Sequence, residues 1–177
     1  MTAESAAARR LRNYWKLEAA NAVLVPLVAL YLVRNSGGAV TVPLLLSIAA
    51  FSFLLVIGAL TLRMMHRSAC GRADATDVLP VLIGLRWPAI GLCVAAAVAV
   101  GIEWVNDGPA LSVRFVATNL LFLLAVIEYV NFYHVQIQHF DHAADWKRLV
   151  SGRGFRRSHL ARMIERHQRE ARQKPSS

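Results

Sequence analysis

Four long apolar runs constrain this chain more than any other feature of its sequence. They cover Ala19 to Val33, Val42 to Leu62, Val81 to Ile102 and Leu111 to Tyr133. A helix needs about 20 predominantly apolar residues to cross roughly 30 Å of hydrocarbon, and each run is close to that length. A mean hydropathy of +0.41 and a hydrophobic content of 56% are too high for a soluble domain of 177 residues. The sequence therefore predicts an all-α, polytopic membrane protein with four transmembrane helices in a bundle.

The runs divide the chain into three predicted parts. Residues 1–16 form a basic arm, residues 17–142 the transmembrane domain, and residues 143–177 a basic tail. The predicted spans cover about 17–34, 41–63, 80–103 and 111–134. Arginines precede the first span and small residues follow it, as in a secretory signal peptide. Because three more spans follow and no small-x-small cleavage site is obvious, we expect a retained signal anchor.

Basic residues are distributed unevenly between the two sides of the predicted membrane. One side has Arg9, Arg10, Arg12 and Lys16 in the arm, Arg63, Arg67 and Arg72 in the second connection, and ten Lys and Arg residues from Lys147 to Lys174. The other side has only Arg34 and Arg114, beside Glu103 and Asp107. Lys and Arg are retained in cytoplasmic loops, so this asymmetry predicts a plasma (inner) membrane protein with both termini in the cytoplasm.

The net charge of +9 indicates an anionic partner, and its concentration in the tail favours the inner leaflet over nucleic acid. Cys70 lies in a predicted connection and Cys93 within a predicted span, so the two thiols are at different depths and cannot readily pair. The sequence contains no CxxC, which argues against a quinone-linked thiol oxidoreductase.

Polar side chains gather at the cytoplasmic end of the predicted spans. The set is Glu18, Asn21, Arg63, His66, Arg86, Glu128, Asn131 and His134. Polar groups are costly near the hydrocarbon, so we interpret them as a candidate binding site. The first and last spans share an ExxN spacing, and the two Glu-Asn pairs can meet across a bundle. Arginines suit a phosphate, and paired carboxylates suit a proton or a divalent cation. The depth of Arg86 depends on where the third span begins.

The tail contains one amphipathic segment. Ser158 is a suitable cap for a helix from His159 to about Gln173. Leu160, Met163, Ile164 and His167 form a narrow apolar stripe among arginines, which suits a helix lying on anionic lipid. A solvated basic tail is the alternative interpretation.

These patterns leave several functions open. The leading hypothesis is a small membrane binding or accessory protein whose polar cluster engages an anionic lipid headgroup, an ion or a partner subunit. One alternative is a lipid-modifying enzyme that uses Glu128 or His134 as acid or base. Another is an oligomeric, proton-coupled transporter. In a purely structural interpretation, each Glu pairs with an Arg and nothing else binds.

No cofactor is predicted, but two arrangements of histidines are worth testing. His66 and His134 end the second and fourth spans on one side, where a haem would need facing imidazoles. His134, His139 and His142 could ligate a divalent metal, although their spacing matches no known signature. The expected partners are membrane lipids and either a second copy of the chain or a larger membrane complex.

Overall fold

Four helical stretches of this protein are long and apolar enough to cross a membrane. The computed structural model describes residues 5–71, 77–109, 111–135 and 158–173. The helices are α1 (Ala6–Asn35), α2 (Val42–Ala69), α3 (Leu79–Gly84), α4 (Arg86–Asp107), α5 (Val113–Tyr133) and α6 (His159–Gln173). The four candidate spans are Ala6–Asn35, Val42–Ala69, Leu79–Asp107 and Val113–Tyr133. The described part of the chain therefore agrees with an all-α protein of four spans. The chain divides into two compact units, Met1–Val126 and Ile127–Ser177.

Small residues allow α1 to pack closely on α2. The buried side chains of the apolar part of α1 are Ala22, Pro26, Ala29 and Val33. Their spacing of four, three and four residues keeps them on one face, and small side chains let helix backbones approach in a membrane. Pro26 cannot donate a hydrogen bond to the carbonyl of Ala22, one turn earlier. Because both residues are buried, the interruption lies inside the protein.

A short glycine loop joins α1 to α2. Gly37 has a φ of 75°, a conformation that side chains disfavour, and Gly38 N–H donates to the Val33 carbonyl at 2.9 Å. A Cβ atom on Gly38 would lie 3.0 Å from that carbonyl oxygen and 3.6 Å from Arg114 Cβ. The loop therefore packs tightly and lies beside the start of α5.

The α2 helix is the central element of the first unit, since it packs against α1, α3 and α4. Leu44, Leu54 and Ile57 are fully buried along it. Thr61 is also buried, and its hydroxyl donates to the Ile57 carbonyl at 2.8 Å. A hydroxyl satisfied by its own helix costs little in an apolar environment, so α2 stays a continuous span.

The third span is broken once, at Leu85 between α3 and α4. Pro88 has no N–H to donate to the carbonyl of Gly84, which removes one helical hydrogen bond at this point. Leu85 N–H still bonds the Val81 carbonyl at 2.9 Å, and Ala89 N–H bonds the Leu85 carbonyl at 3.1 Å. The break is therefore a local interruption of a nearly continuous helix, and Arg86 lies directly after it.

The first unit has two polar ends. We call one the Trp15 end, where Trp15 of α1 meets Arg63 of α2. We call the other the Gly38 end, where the α1–α2 loop lies beside Arg114. Because α1 and α2 are joined by a short loop, they run antiparallel, and the two ends lie at opposite termini of these helices.

Gly38→Ala should lower the melting temperature, because the added Cβ would press on the Val33 carbonyl. Overpacking of this kind costs about 1–3 kcal/mol. Gly91→Ala is the matched control, since nothing lies within 4 Å of a Cβ at Gly91, and it should leave stability equal or slightly higher. Thermal unfolding of the detergent-purified variants measures both. Equal melting temperatures for Gly38→Ala and the parent would contradict the tight loop.

Candidate functional site

Two cations from neighbouring helices lie against one aromatic ring at the Trp15 end. Arg63 Cζ of α2 is 5.7 Å from the centre of the Trp15 ring, and Lys16 Nζ is 5.9 Å from it. Both distances lie within cation–π range. Arg63 and Lys16 are exposed, whereas Trp15 is half-buried. Two solvent-accessible positive charges, one from each helix, therefore lie near the same ring.

More basic side chains occupy the neighbouring turns of the same two helices. Arg12 lies one turn before Lys16 on α1, and Arg67 lies one turn after Arg63 on α2; both are half-buried. We call Arg12, Trp15, Lys16, Arg63 and Arg67 the Trp15 cluster. Clusters of Lys and Arg next to a membrane span attract anionic lipid headgroups.

Three of the predicted site residues lie close to this cluster along their helices. Glu18 and Asn21 follow Trp15 on α1 and are half-buried. His66 follows Arg63 on α2 and is also half-buried, with its Nε2 atom 3.9 Å from the sulfur of exposed Cys70. Arg63 and His66 therefore belong to the same end of α2, as the sequence predicts.

Arg86 is an exposed side chain at the start of α4. Its position after the break at Leu85 explains why the sequence leaves its depth ambiguous: α3 and α4 together form one candidate span, and Arg86 lies near the junction. We therefore do not include Arg86 in the Trp15 cluster.

The remaining predicted site residues belong to the second unit. Glu128 and Asn131 are buried, with 6% and 7% of their surfaces exposed. His134 is exposed, and its ring centre lies 5.5 Å from that of Tyr129. Glu18 and Glu128 lie in different compact units, so the proposed meeting of the two ExxN pairs stays a prediction.

The described residues bear on only one of the two histidine-based alternatives. Within them, no three His, Cys, Asp or Glu side chains form a group able to hold a metal ion. His139 and His142 lie outside the described residues. His66 and His134 belong to different units, so a haem between them also stays a prediction.

The sequence did not identify a polar cluster at the Gly38 end. Arg114 Nη1 of α5 lies 2.6 Å from Glu103 Oε1 of α4, and Arg114 Nη2 lies 3.4 Å from Asp107 Oδ2. Only 3% of the Glu103 side chain is exposed, against 23% for Arg114 and 52% for Asp107. Neither Glu103 oxygen has an aligned hydrogen bond within the described residues. The contact is therefore a charge pair that compensates a buried carboxylate.

Aromatic and amide contacts reinforce the same junction. Trp104 Nε1 donates to Asn119 Oδ1 at 2.8 Å, and the rings of Trp104 and Phe115 lie 5.3 Å apart. Asn119 Nδ2 in turn donates to the Phe115 carbonyl at 2.8 Å. Ser112 accepts a hydrogen bond from Phe115 N–H at 3.2 Å and caps α5. These contacts fasten the end of α4 to the beginning of α5.

The helical pattern of α4 contained a signal for the buried Glu103. The buried residues of α4 are Ala89, Ala96, Val100 and Glu103, a spacing of seven, four and three that defines one face. The sequence prediction placed Glu103 at the end of the third span and used it only in the orientation argument. Arg114 of α5 contacts both Glu103 and Asp107 of α4 and so joins the two helices, and we assign this cluster a structural role.

Comparisons with protein-family models, with curated proteins and with solved structures each return no match for this chain.

Arg114→Gln should destabilise the protein more than any single change at Asp107, because it leaves the Glu103 carboxylate buried without its cation. Breaking a buried pair costs about 3–5 kcal/mol, and the partial exposure of Arg114 places the expected loss at the lower end of that range. Asp107→Asn, which affects an exposed and longer contact, should cost about 0–1 kcal/mol. Unfolding curves of the purified variants measure both losses.

The double variant Glu103→Gln/Arg114→Gln completes this test. Removing both charges should restore part of the stability lost in Arg114→Gln, since no unpaired carboxylate remains. Strictly additive losses would show that the two side chains do not interact.

Proposed function

We propose that this chain is a non-catalytic integral membrane protein that binds the phosphate of an anionic lipid headgroup at the Trp15 cluster. In this role it serves as an accessory or binding protein in the membrane. The observation that carries the proposal is the placement of Arg63 and Lys16, from two neighbouring helices, against the same Trp15 ring.

Exposure of the cations supports a ligand at this end. Arg63 and Lys16 are accessible, whereas the buried charge at the Gly38 end already has a cation beside it. An accessible pair of cations retains its capacity to bind an anion, and the guanidinium of Arg63 can donate two hydrogen bonds to one phosphate. The Trp15 end therefore offers a pair of accessible cations on one ring, whereas Arg114 at the Gly38 end already compensates Glu103.

The position of Trp15 supports a headgroup as the ligand. Tryptophan is enriched at the membrane–water interface, and Trp15 lies on the basic side of the helix that the charge rule assigns to the cytoplasm. The inner leaflet supplies anionic lipids there, and each nearby basic residue contributes about 1 kcal/mol to their attraction. Holding Arg63 and Lys16 on a common ring also reduces the rotamer entropy that they lose when they bind.

Lys16→Gln/Arg63→Gln should weaken binding of phosphatidylglycerol about tenfold or more, since two cations leave the cluster. Native mass spectrometry of the full chain, titrated with phosphatidylglycerol or phosphatidylcholine, measures the affinity for each lipid. Arg34→Gln is the matched control, because it removes an exposed cation from the Gly38 end of α1. It should leave phosphatidylglycerol binding unchanged.

Three results would overturn this proposal. One is a loss in Arg34→Gln that is as large, per charge removed, as the loss in the double variant, which would indicate a general effect of net charge. Another is equal affinity for phosphatidylcholine and phosphatidylglycerol. The third is turnover of phospholipid by the purified chain that disappears in Glu128→Gln, which would favour the enzyme.

Cys70 provides a test of the proposed orientation, since it is exposed and belongs to the same end of α2 as Arg63. In a Cys93→Ala background, a membrane-impermeant maleimide should label Cys70 only after the cells are opened. Ser36→Cys in a Cys70→Ser/Cys93→Ala background is the converse control, because Ser36 is exposed in the α1–α2 loop. It should be labelled in intact cells, and the reverse pattern would place the Trp15 end outside the cytoplasm.

A further inference from the structure

Ser158 fastens the start of α6 to the end of α5 within the second unit. Its backbone N–H donates to the His134 carbonyl at 3.2 Å, and its hydroxyl donates to the Phe132 carbonyl at 2.5 Å. Carbonyls at the end of a helix lack partners within that helix, so both bonds satisfy groups that would otherwise need water. Ser158 is 3% exposed. This junction is therefore a buried part of the structure.

The same serine begins α6. Its hydroxyl accepts a hydrogen bond from Ala161 N–H at 3.0 Å, and its carbonyl accepts one from Arg162 N–H at 3.2 Å. These are the bonds of a helix N-cap. Leu160 is 1% exposed, which anchors the first turn within the protein. Since α5 is a candidate span that ends at Tyr133, α6 begins where that span ends.

One face of α6 is basic and exposed. Arg162, Arg166 and Arg169 are exposed, and spacings of four and three residues place them within about 60° of one another around the helix. We call this surface the arginine face. Glu165 borders it and is half-buried. The net charge of the arginine face is therefore positive.

The opposite side of α6 turns toward the protein. Leu160 is buried, and Met163 and Ile164 are half-buried. A surface helix that inserts into lipid does so with its apolar side, but in α6 that side is partly buried within the protein. The side available to a partner is the arginine face, and its chemistry suits phosphate groups.

We propose that the arginine face of α6 binds the phosphates of anionic lipids at the surface of the membrane. This is a second contact with lipid, on a different unit from the Trp15 cluster, and it does not require headgroup binding at that cluster. The contact is electrostatic and involves no insertion of the apolar side chains of α6.

The reach of the helix favours the membrane over a distant partner. Arg162 lies four residues after Ser158, or about 6 Å along the helix axis. The Debye length at 0.1 M salt is about 10 Å, so Arg162 is within electrostatic range of the lipid when the end of α5 lies at the membrane surface. Arg166 and Arg169 follow within about 17 Å of Ser158 along the axis. All three reach phosphates when α6 lies along the membrane surface.

Hydrogen exchange of the full chain in nanodiscs tests this proposal. The peptide amides of α6 should exchange more slowly in discs containing phosphatidylglycerol than in discs of phosphatidylcholine alone. The difference should be about tenfold at low salt and should disappear at high salt, where the Debye length falls to about 3 Å. Inorganic phosphate added to phosphatidylcholine discs should not reproduce the slowing, since it offers no surface.

Variants of α6 decide whether the arginines cause this effect. Arg162→Gln/Arg166→Gln/Arg169→Gln should abolish the difference between the two kinds of disc, and the corresponding triple Lys variant should retain it. The Lys16→Gln/Arg63→Gln variant should also retain it, because the Trp15 cluster is a separate contact. This last variant separates failure of the proposed headgroup site from failure of the arginine face.

Several results would overturn the proposal. They are equal exchange of α6 in the two kinds of disc, retention of the difference in the triple Gln variant, and persistence of the difference at high salt. Slowing that appears only on addition of an acidic polypeptide or RNA would assign the arginine face to a macromolecule other than the membrane.

Discussion

The interior of a bilayer offers no hydrogen-bonding partner to a peptide group, and this constraint determines the rest of the structure. Each candidate span satisfies its backbone within a helix, as lipid requires. Two prolines interrupt that pattern. Pro26 lies on the buried face of α1, and Pro88 follows the break between α3 and α4. The small residues beside Pro26 also give α1 its packing surface against α2. In α1, the proline that removes a backbone hydrogen bond therefore lies on the same face that packs against α2.

The protein accommodates charged side chains in different ways at the two ends of the first unit. At the Gly38 end, Arg114 lies beside the buried carboxylate of Glu103, and the charges compensate each other. At the Trp15 end, Arg63 and Lys16 are exposed and share an aromatic ring. A compensated pair stabilises the fold, whereas accessible cations retain the capacity to bind an anion. This difference is the basis for assigning a structural role to one end and a binding role to the other.

Parts of the site followed from the sequence, and parts did not. The cationic residues Arg63 and Lys16 were foreseeable because they flank long apolar runs on the basic side. The burial of Glu103 was not recognised, although its spacing from Ala96 and Val100 places the three on one helical face. Periodicity groups residues on a face, but it does not say which face packs against a neighbour. The apolar stripe of α6 illustrates the same limit: the sequence allowed Leu160 to face either lipid or solvent, whereas the structure buries it within the protein.

The sequence by itself determined the four apolar helices, their approximate ends and the unequal distribution of basic residues. These properties depend on residues that are adjacent or a few positions apart, so helix length, periodicity and charge are sufficient to read them. Only the tertiary structure decided that Arg63 lies over Trp15, that Arg114 compensates Glu103, and that Ser158 joins α6 to the end of α5. Each of these contacts joins residues separated by at least one turn or loop. Their geometry depends on how whole helices pack, which no local pattern specifies.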